Sequence, residues 1–202
     1  MCRQSKYFAT TFERDFKEGT EQSTILEEIN GVVSTRSFEM LLQWLYVGKI
    51  LFDEIPSEEA IAAIVEFVRF ADMCQVTGME DLMAGRIKAM IMGKVPTTKA
   101  KKRTTTIVHH TCITSEHIMS AVLLPKGHSV RRILTMAAVP AYLNRANYLS
   151  EALEIHDFAV DLLKEVRIVT KSFQPDGSCV TFQDPLSNAR ITLVCNDDSG
   201  LF

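Results

Sequence analysis

The sequence predicts an α/β protein of the predominantly helical α+β type. Over most of its 202 residues, apolar side chains recur at intervals of three and four, as they do on the buried face of a helix. The alternation of apolar and polar residues that is typical of strands occurs only at 23–27 and at 179–193. Apolar residues make up 47% of the chain and charged residues 23%, which is the balance of an ordinary globular protein.

The central element is the helix predicted over residues 38–47, because its apolar residues share one face. They fall at i, i+3, i+4, i+7 and i+8, and are Phe38, Leu41, Leu42, Leu45 and Tyr46. Gly48 follows at once and can adopt the left-handed backbone conformation that ends helices. The hydroxyl-rich residues 34–37 can cap the first free N–H groups of this helix. We expect the helix to pack against Phe8 and Phe12 and against residues 61–70.

The same periodicities predict the remaining elements in chain order. They are a short helix around Phe8 and Phe12, a strand at 23–27, helices at 57–74, 79–92, 114–123, 130–138 and 150–169, and a hairpin pairing 179–182 with 191–193. Pro140 is expected to stop or kink its helix, and residues 175–177 predict a turn. The strand at 23–27 has no evident partner in the sequence, so it would expose unpaired backbone groups.

A change of composition predicts two domains joined by a linker. Residues 94–106 are basic and rich in threonine, and they show no periodicity, which is typical of an exposed connection. We therefore expect a first domain at 1–93, a basic linker at 94–113, and a helical C-terminal region at 114–202 that ends in the hairpin.

Three segments of the first 93 residues resemble the BTB/POZ domain family. They are Ser5, Tyr7, Phe8 and Phe12 ("S.YF...F"), residues 38–50 ("F..LL.WLY.G.I") and residues 70–82 ("AD......L...L"). The whole chain resembles the BTB-domain-containing proteins of filamentous fungi. Because strands normally precede the first of these segments and Met1 lies almost on it, the resemblance implies a domain that lacks its N-terminal strands.

The resemblance implies a non-catalytic protein–protein interaction module whose partners are other proteins. It also implies a homodimer, because BTB domains commonly dimerise. An alternative is a substrate adaptor for a cullin-type ubiquitin ligase, because Phe16 and Glu18 resemble the motif by which some BTB proteins dock on a cullin. A second alternative is a transcription-associated nuclear protein. Its import would depend on a basic cluster in the linker, which consists of Lys99, Lys101, Lys102 and Arg103.

An enzyme is kept only as a minor alternative, because the sequence has no glycine-rich phosphate loop, nucleophile elbow or paired His-x-x-His motif. Cys112 and His117 have the spacing of a zinc-ligand pair, but no second pair follows, so neither a metal nor a cofactor is expected. Cys179 and Cys195 should point to opposite faces of the hairpin, which argues against a disulfide.

Charge and hydropathy narrow the partners further. A net charge of −3 gives no overall attraction to nucleic acid or to an anionic membrane. The longest apolar run, at 133–143, is too short to span a bilayer. Five widely spaced cysteines and no signal peptide predict a reducing compartment, the cytoplasm or the nucleus.

Overall fold

The computed structural model describes residues 5–13, 17–21, 23–52, 55–93, 112–144, 149–177 and 179–193. The described chain is mostly helical (62%) and carries one small antiparallel sheet near its C-terminal end, so the predicted helical α+β class is confirmed. The helices are α1 (Lys6–Glu13), α2 (Lys17–Glu21), α3 (Thr35–Val47), α4 (Ser57–Met73), α5 (Glu80–Gly93), α6 (Ser115–Val122), α7 (Ser129–Leu143), α8 (Ser150–Leu153) and α9 (His156–Thr170). The strands are β1 (Gln174–Asp176), β2 (Cys179–Gln183) and β3 (Arg190–Thr192).

The chain divides into two compact units. The first unit comprises residues 1–87 and 120–131, and the second comprises 88–119 and 132–202. The expected domain limits at 93 and 114 stay a prediction, and most of the expected linker, residues 94–111, lies outside the described residues.

Helix α3 ends at Val47 as predicted, but it begins at Thr35, three residues before the predicted start at Phe38. The backbone N–H of Ser37 donates to Ser34 Oγ (3.1 Å) and the N–H of Ser34 donates to Ser37 Oγ (2.8 Å), which is a reciprocal capping box. At the other end, Gly48 adopts a left-handed conformation with φ 69°, and its N–H donates to the carbonyl of Trp44 (2.9 Å).

The buried face of α3 differs from the predicted face by a rotation about the helix axis. Ser37, Met40, Leu41 and Leu45 are buried, whereas Tyr46 is 74% exposed, so its assignment to the core was wrong. Helix α4 packs against α3. Apolar spacing defines a wide stripe, but only the position of the neighbouring helix decides which part of that stripe is covered.

Helix α4 forms the core of the first unit and is buried on most of its sides. Its buried residues are Ala60, Ile61, Ala63, Ile64, Val65, Phe67, Val68, Phe70 and Ala71. The ring centroids of Phe70 and Phe38 lie 6.4 Å apart, which joins α4 to α3. Ser5 Oγ donates to the carbonyl of Cys74 (2.6 Å), which fixes the start of α1 to the end of α4. Burial raises the pKa of the Cys74 thiol to about 12.

The strand predicted at 23–27 does not form. Residues 23–28 have no regular secondary structure, and the neighbouring Ile29 and Val33 make only an isolated antiparallel bridge. A strand requires a hydrogen-bonded partner, and the described part of the chain places none beside this segment.

The helices of the C-terminal half depart from prediction at two places. Pro140 does not stop α7, which continues to Leu143, because a proline in the last turn removes only one hydrogen bond of the ladder. The alternative outcome, a kink at Pro140, stays a prediction. The single helix expected at 150–169 is divided into α8 and α9 by Glu154 and Ile155, which lie in neither helix.

The predicted hairpin is confirmed and belongs to a three-stranded sheet of order β1-β2-β3. Phe182 lies opposite Ile191, and the N–H of Leu193 donates to the carbonyl of Val180 (2.8 Å), which is the predicted register. The turn expected at 175–177 is in part strand, because β1 extends to Asp176 and pairs with β2. Cys195 lies outside the described residues, so its separation from Cys179 stays a prediction.

No helix in the described part of the chain combines the length and the apolar character that crossing a bilayer requires.

Candidate functional site

The candidate site is an open cavity of about 560 Å³ in the first unit. Its apolar lining comes from α1, α3 and the chain between α2 and α3, and consists of Phe8, Phe12, Leu26, Val33 and Phe38. We call this cavity the groove. Three phenylalanine rings around an opening of this size form a site that can bury apolar side chains of a ligand or partner.

The rings of the groove are held by the core beneath them. Phe8 is 1% exposed, and Phe12 lies stacked on it with centroids 6.1 Å apart. Phe38 contacts Phe70 of α4, while Phe12 and Phe38 themselves remain half-buried. The base of the groove is therefore rigid, and only its rim is accessible to a partner.

One edge of the groove is formed by residues 24–28, whose side chains alternate between the groove and solvent. Thr24, Leu26 and Glu28 line the groove, whereas Ile25 between them is 89% exposed. This alternation is typical of an extended chain. Among the described residues, no hydrogen-bond partner is found for the backbone groups of residues 24–28.

Hydrogen bonds at both ends hold this segment in place. The N–H of Ser23 donates to the carbonyl of Glu18 (3.2 Å), and the N–H of Ile29 donates to the carbonyl of Val33 (3.0 Å). The segment is thus fixed at its ends while its middle is available for pairing with another chain.

The surroundings of the segment are acidic. Glu27 and Glu28 are exposed, and Glu18 is half-buried on α2. A second carboxylate of α2, that of Glu21, is also exposed, and its Oε1 lies 3.8 Å from Lys17 Nζ. A partner of the groove therefore meets a negative edge, which favours basic side chains.

Of the site residues predicted from sequence, the structure places one. Glu18 was expected in a loop but lies in the first turn of α2, next to the start of the groove segment. Phe16 lies outside the described residues, as do all four members of the basic cluster: Lys99, Lys101, Lys102 and Arg103. The docking motif and the import cluster therefore stay predictions.

The groove is not predicted from the sequence, although some of the residues that line it are predicted to be buried. Phe8, Phe12 and Phe38 were recognised as core residues, and the alternation at 23–27 was interpreted as a strand. The groove arises where three separate elements meet, and a sequence pattern does not show such a meeting.

His117 of the rejected zinc pair has a structural role. It is buried, its Nδ1 accepts the N–H of Thr114 (3.2 Å), and its own N–H donates to Thr114 Oγ1 (3.4 Å). This reciprocal pair caps the start of α6 as a capping box does. No group of three or more His, Cys, Asp or Glu residues suited to a metal occurs within the described ranges.

Comparison with protein-family models, with curated proteins and with solved structures finds no match for this chain. The groove is therefore interpreted from its own residues and geometry.

Proposed function

We propose that the chain is a non-catalytic protein–protein interaction module and that its groove binds an extended segment of a partner protein. The observation that carries this proposal is the backbone of residues 24–28, which lies at the edge of an apolar groove and has no hydrogen-bond partner among the described residues. The resemblance of residues 1–93 to BTB/POZ domains, which act by binding proteins, supports the same function.

The occupant follows from the chemistry of the groove. Free backbone N–H and C=O groups are satisfied best by another extended chain, and alternate side chains of that chain enter the pockets beneath it. The half-buried rings of Phe12 and Phe38 offer apolar surface to those side chains. Glu27, which is exposed and does not line the groove, favours lysine or arginine at the remaining positions. The partner segment is therefore extended, alternately apolar and basic.

A labelled peptide tests this proposal directly. The probe is acetyl-Lys-Val-Lys-Leu-Lys-Val-amide, whose binding to the full chain is measured by fluorescence anisotropy. One control peptide replaces lysine with glutamate, and a second carries N-methyl groups on alternate backbone nitrogens. We expect both controls to bind at least about tenfold more weakly, because one loses charge complementarity and the other loses hydrogen-bond donors. Equal binding of the N-methylated peptide would contradict strand addition.

Matched variants of the protein locate the binding. Phe12→Ala removes a half-buried ring from the rim and should weaken peptide binding about tenfold. Tyr46→Ala removes an aromatic ring that is 74% exposed and does not line the groove, so binding should not change. If the chain instead self-associates in a manner that Phe12→Ala abolishes, a second copy is the occupant and the proposed partner chemistry is wrong.

The alternative functions have separate tests. If Phe16→Ala still binds a cullin, the motif of Phe16 and Glu18 is not the site that docks on the ubiquitin ligase. If the protein still accumulates in the nucleus after Lys101, Lys102 and Arg103 are replaced, the basic cluster is not its import signal.

A further inference from the structure

The second unit contains a polar cavity of about 510 Å³ that none of the functions above uses. Its lining comes from the end of α9, from all three strands and from the β2–β3 loop, and consists of Lys171, Ser172, Gln174, Gln183, Asn188 and Arg190. We call it the polar cavity. Of the described residues that line it, none is acidic and none is aromatic.

The register of the sheet explains why these side chains meet. Gln183 lies directly opposite Arg190, and Gln174 lies opposite Thr181, two residues earlier on β2. Residues two apart on a strand share a face, so Gln174, Gln183 and Arg190 lie on one side of the sheet. The intervening Phe182 is fully buried on the opposite side.

The loop and the helix end that complete the cavity are also fixed. Buried Asp184 accepts the N–H of Leu186 (3.3 Å) and of Ser187 (3.0 Å), and its own carbonyl accepts the N–H of Asn188 (2.9 Å). On the other side, the N–H of Gln183 donates to Ser172 Oγ (2.9 Å). The lining is therefore a built arrangement in which loop, strand and helix end are joined by hydrogen bonds.

The cavity carries two positive charges that the described residues do not neutralise. No carboxylate lies within ion-pair distance of Lys171 or Arg190 in the described part of the chain. Arg190 donates through Nη2 to the amide oxygen of Gln174, which orients the guanidinium without cancelling its charge. A guanidinium presents paired N–H donors that match the oxygens of a phosphate, and an ammonium adds a second cation.

The carbonyl end of α9, which would repel an anion, is already occupied. The N–H groups of Lys171, Ser172 and Phe173 donate to the carbonyls of Ile168, Val169 and Thr170, in that order. These three carbonyls already accept hydrogen bonds, and Lys171 and Arg190 are the charged residues of the described lining.

We propose that the polar cavity binds a small phosphorylated polyol. Five of the six described lining residues are exposed, so the polar cavity is open to solvent, and its volume of about 510 Å³ has room for a small molecule as well as for a bare ion. The cations hold the phosphate, while the amides of Gln174, Gln183 and Asn188 both donate to and accept from hydroxyl groups. The absence of an aromatic ring from the described lining leaves nothing on which a nucleobase could stack.

Titration calorimetry of the full chain tests this site with three probes: glucose 6-phosphate, glucose and inorganic phosphate. Glucose 6-phosphate should bind most tightly, at least about tenfold better than either fragment, and its affinity should fall as salt is added. Equal affinity for inorganic phosphate would overturn the polyol part of the proposal. Absence of heat with all three probes would overturn the site.

Variants that remove or keep a positive charge test whether the named residues bind the ligand. Arg190→Gln and Lys171→Gln should each weaken glucose 6-phosphate binding about tenfold, and Arg190→Lys should fall between Arg190→Gln and the unaltered chain, because charge remains without the fork. Lys88→Gln, at an exposed lysine that does not line the cavity, should leave binding unchanged. The side chain of Lys171 is exposed and forms no ion pair with the described residues, so unaltered affinity in Lys171→Gln would contradict the proposal even if an Arg190 variant misfolded.

Discussion

His128 is placed to make the stability of the first unit depend on pH. It precedes α7 and accepts the N–H of Val130 through Nδ1 (3.2 Å). It also lines a cavity of about 190 Å³ together with Asp72 and Glu80. Burial lowers the pKa of His128 from its ordinary value of 6.5, and the carboxylates of Glu80, Asp72 and Asp81 oppose that effect without cancelling it.

The sign of the pH dependence follows from this lowered pKa. Just below pH 6.5 the unfolded chain binds a proton at His128 that the folded chain does not, so the free energy of unfolding falls with falling pH. His128→Asn keeps an acceptor for the Val130 N–H but cannot titrate. As the pH is lowered from about 7.5 to about 5.5, we expect the unaltered chain to lose more free energy of unfolding than His128→Asn does. Urea denaturation of both proteins at each pH measures this difference. His156→Asn, at an exposed histidine, serves as the control. A pH slope in His128→Asn equal to that of the unaltered chain would refute this assignment.

At the scale of the element, α3 makes a prediction that separates its observed face from the face expected from sequence. Leu41 is fully buried, so Leu41→Ala should lower the free energy of unfolding by about 2–5 kcal/mol. Tyr46 belonged to the same predicted stripe but is 74% exposed, so Tyr46→Ala should change it by less than about 0.5 kcal/mol. Urea denaturation of both variants measures the difference. Equal destabilisation by the two substitutions would mean that Tyr46 is buried as the sequence predicts, and would contradict the observed face of α3.

The elements that could be predicted are those whose signal is local. The capping box of α3, the left-handed Gly48 and the Phe182–Ile191 register depend on residues close together in the chain. The rotation of α3 and the failure of the strand at 23–27 depend on which neighbour is present, which a single sequence does not state. Local chemistry thus sets where an element begins and ends, and tertiary contact sets what it buries.

The same distinction explains the candidate sites. Phe8 and Phe12 form a recognisable pair on one helix, but the groove needs Leu26 and Phe38 from two other parts of the chain. Likewise Lys171 and Arg190 are ordinary surface residues in sequence, and the sheet and its helix bring them to one cavity. Both sites are properties of the assembled unit, and neither has a motif of its own.

At the scale of the whole molecule, the first unit is made of two separate stretches of chain. Residues 120–131 belong to it although they follow the predicted domain limit at 93. Within this stretch Leu124 and Val130 are almost fully buried. Ser129 Oγ donates to Asp81 Oδ1, which joins the stretch to α5. Cleavage of the chain at the predicted limit would therefore remove part of the unit's own core.

Two fragments test which limit is right. A fragment of residues 1–93 should lack cooperative thermal unfolding and near-UV circular dichroism, because it loses the buried Leu124 and Val130 and exposes the apolar surface they cover. A fragment of residues 1–131 retains every residue of the first unit and should keep both signals. If the shorter fragment unfolds as cooperatively as the longer one, residues 1–93 are a self-sufficient domain and residues 120–131 are dispensable for its folding.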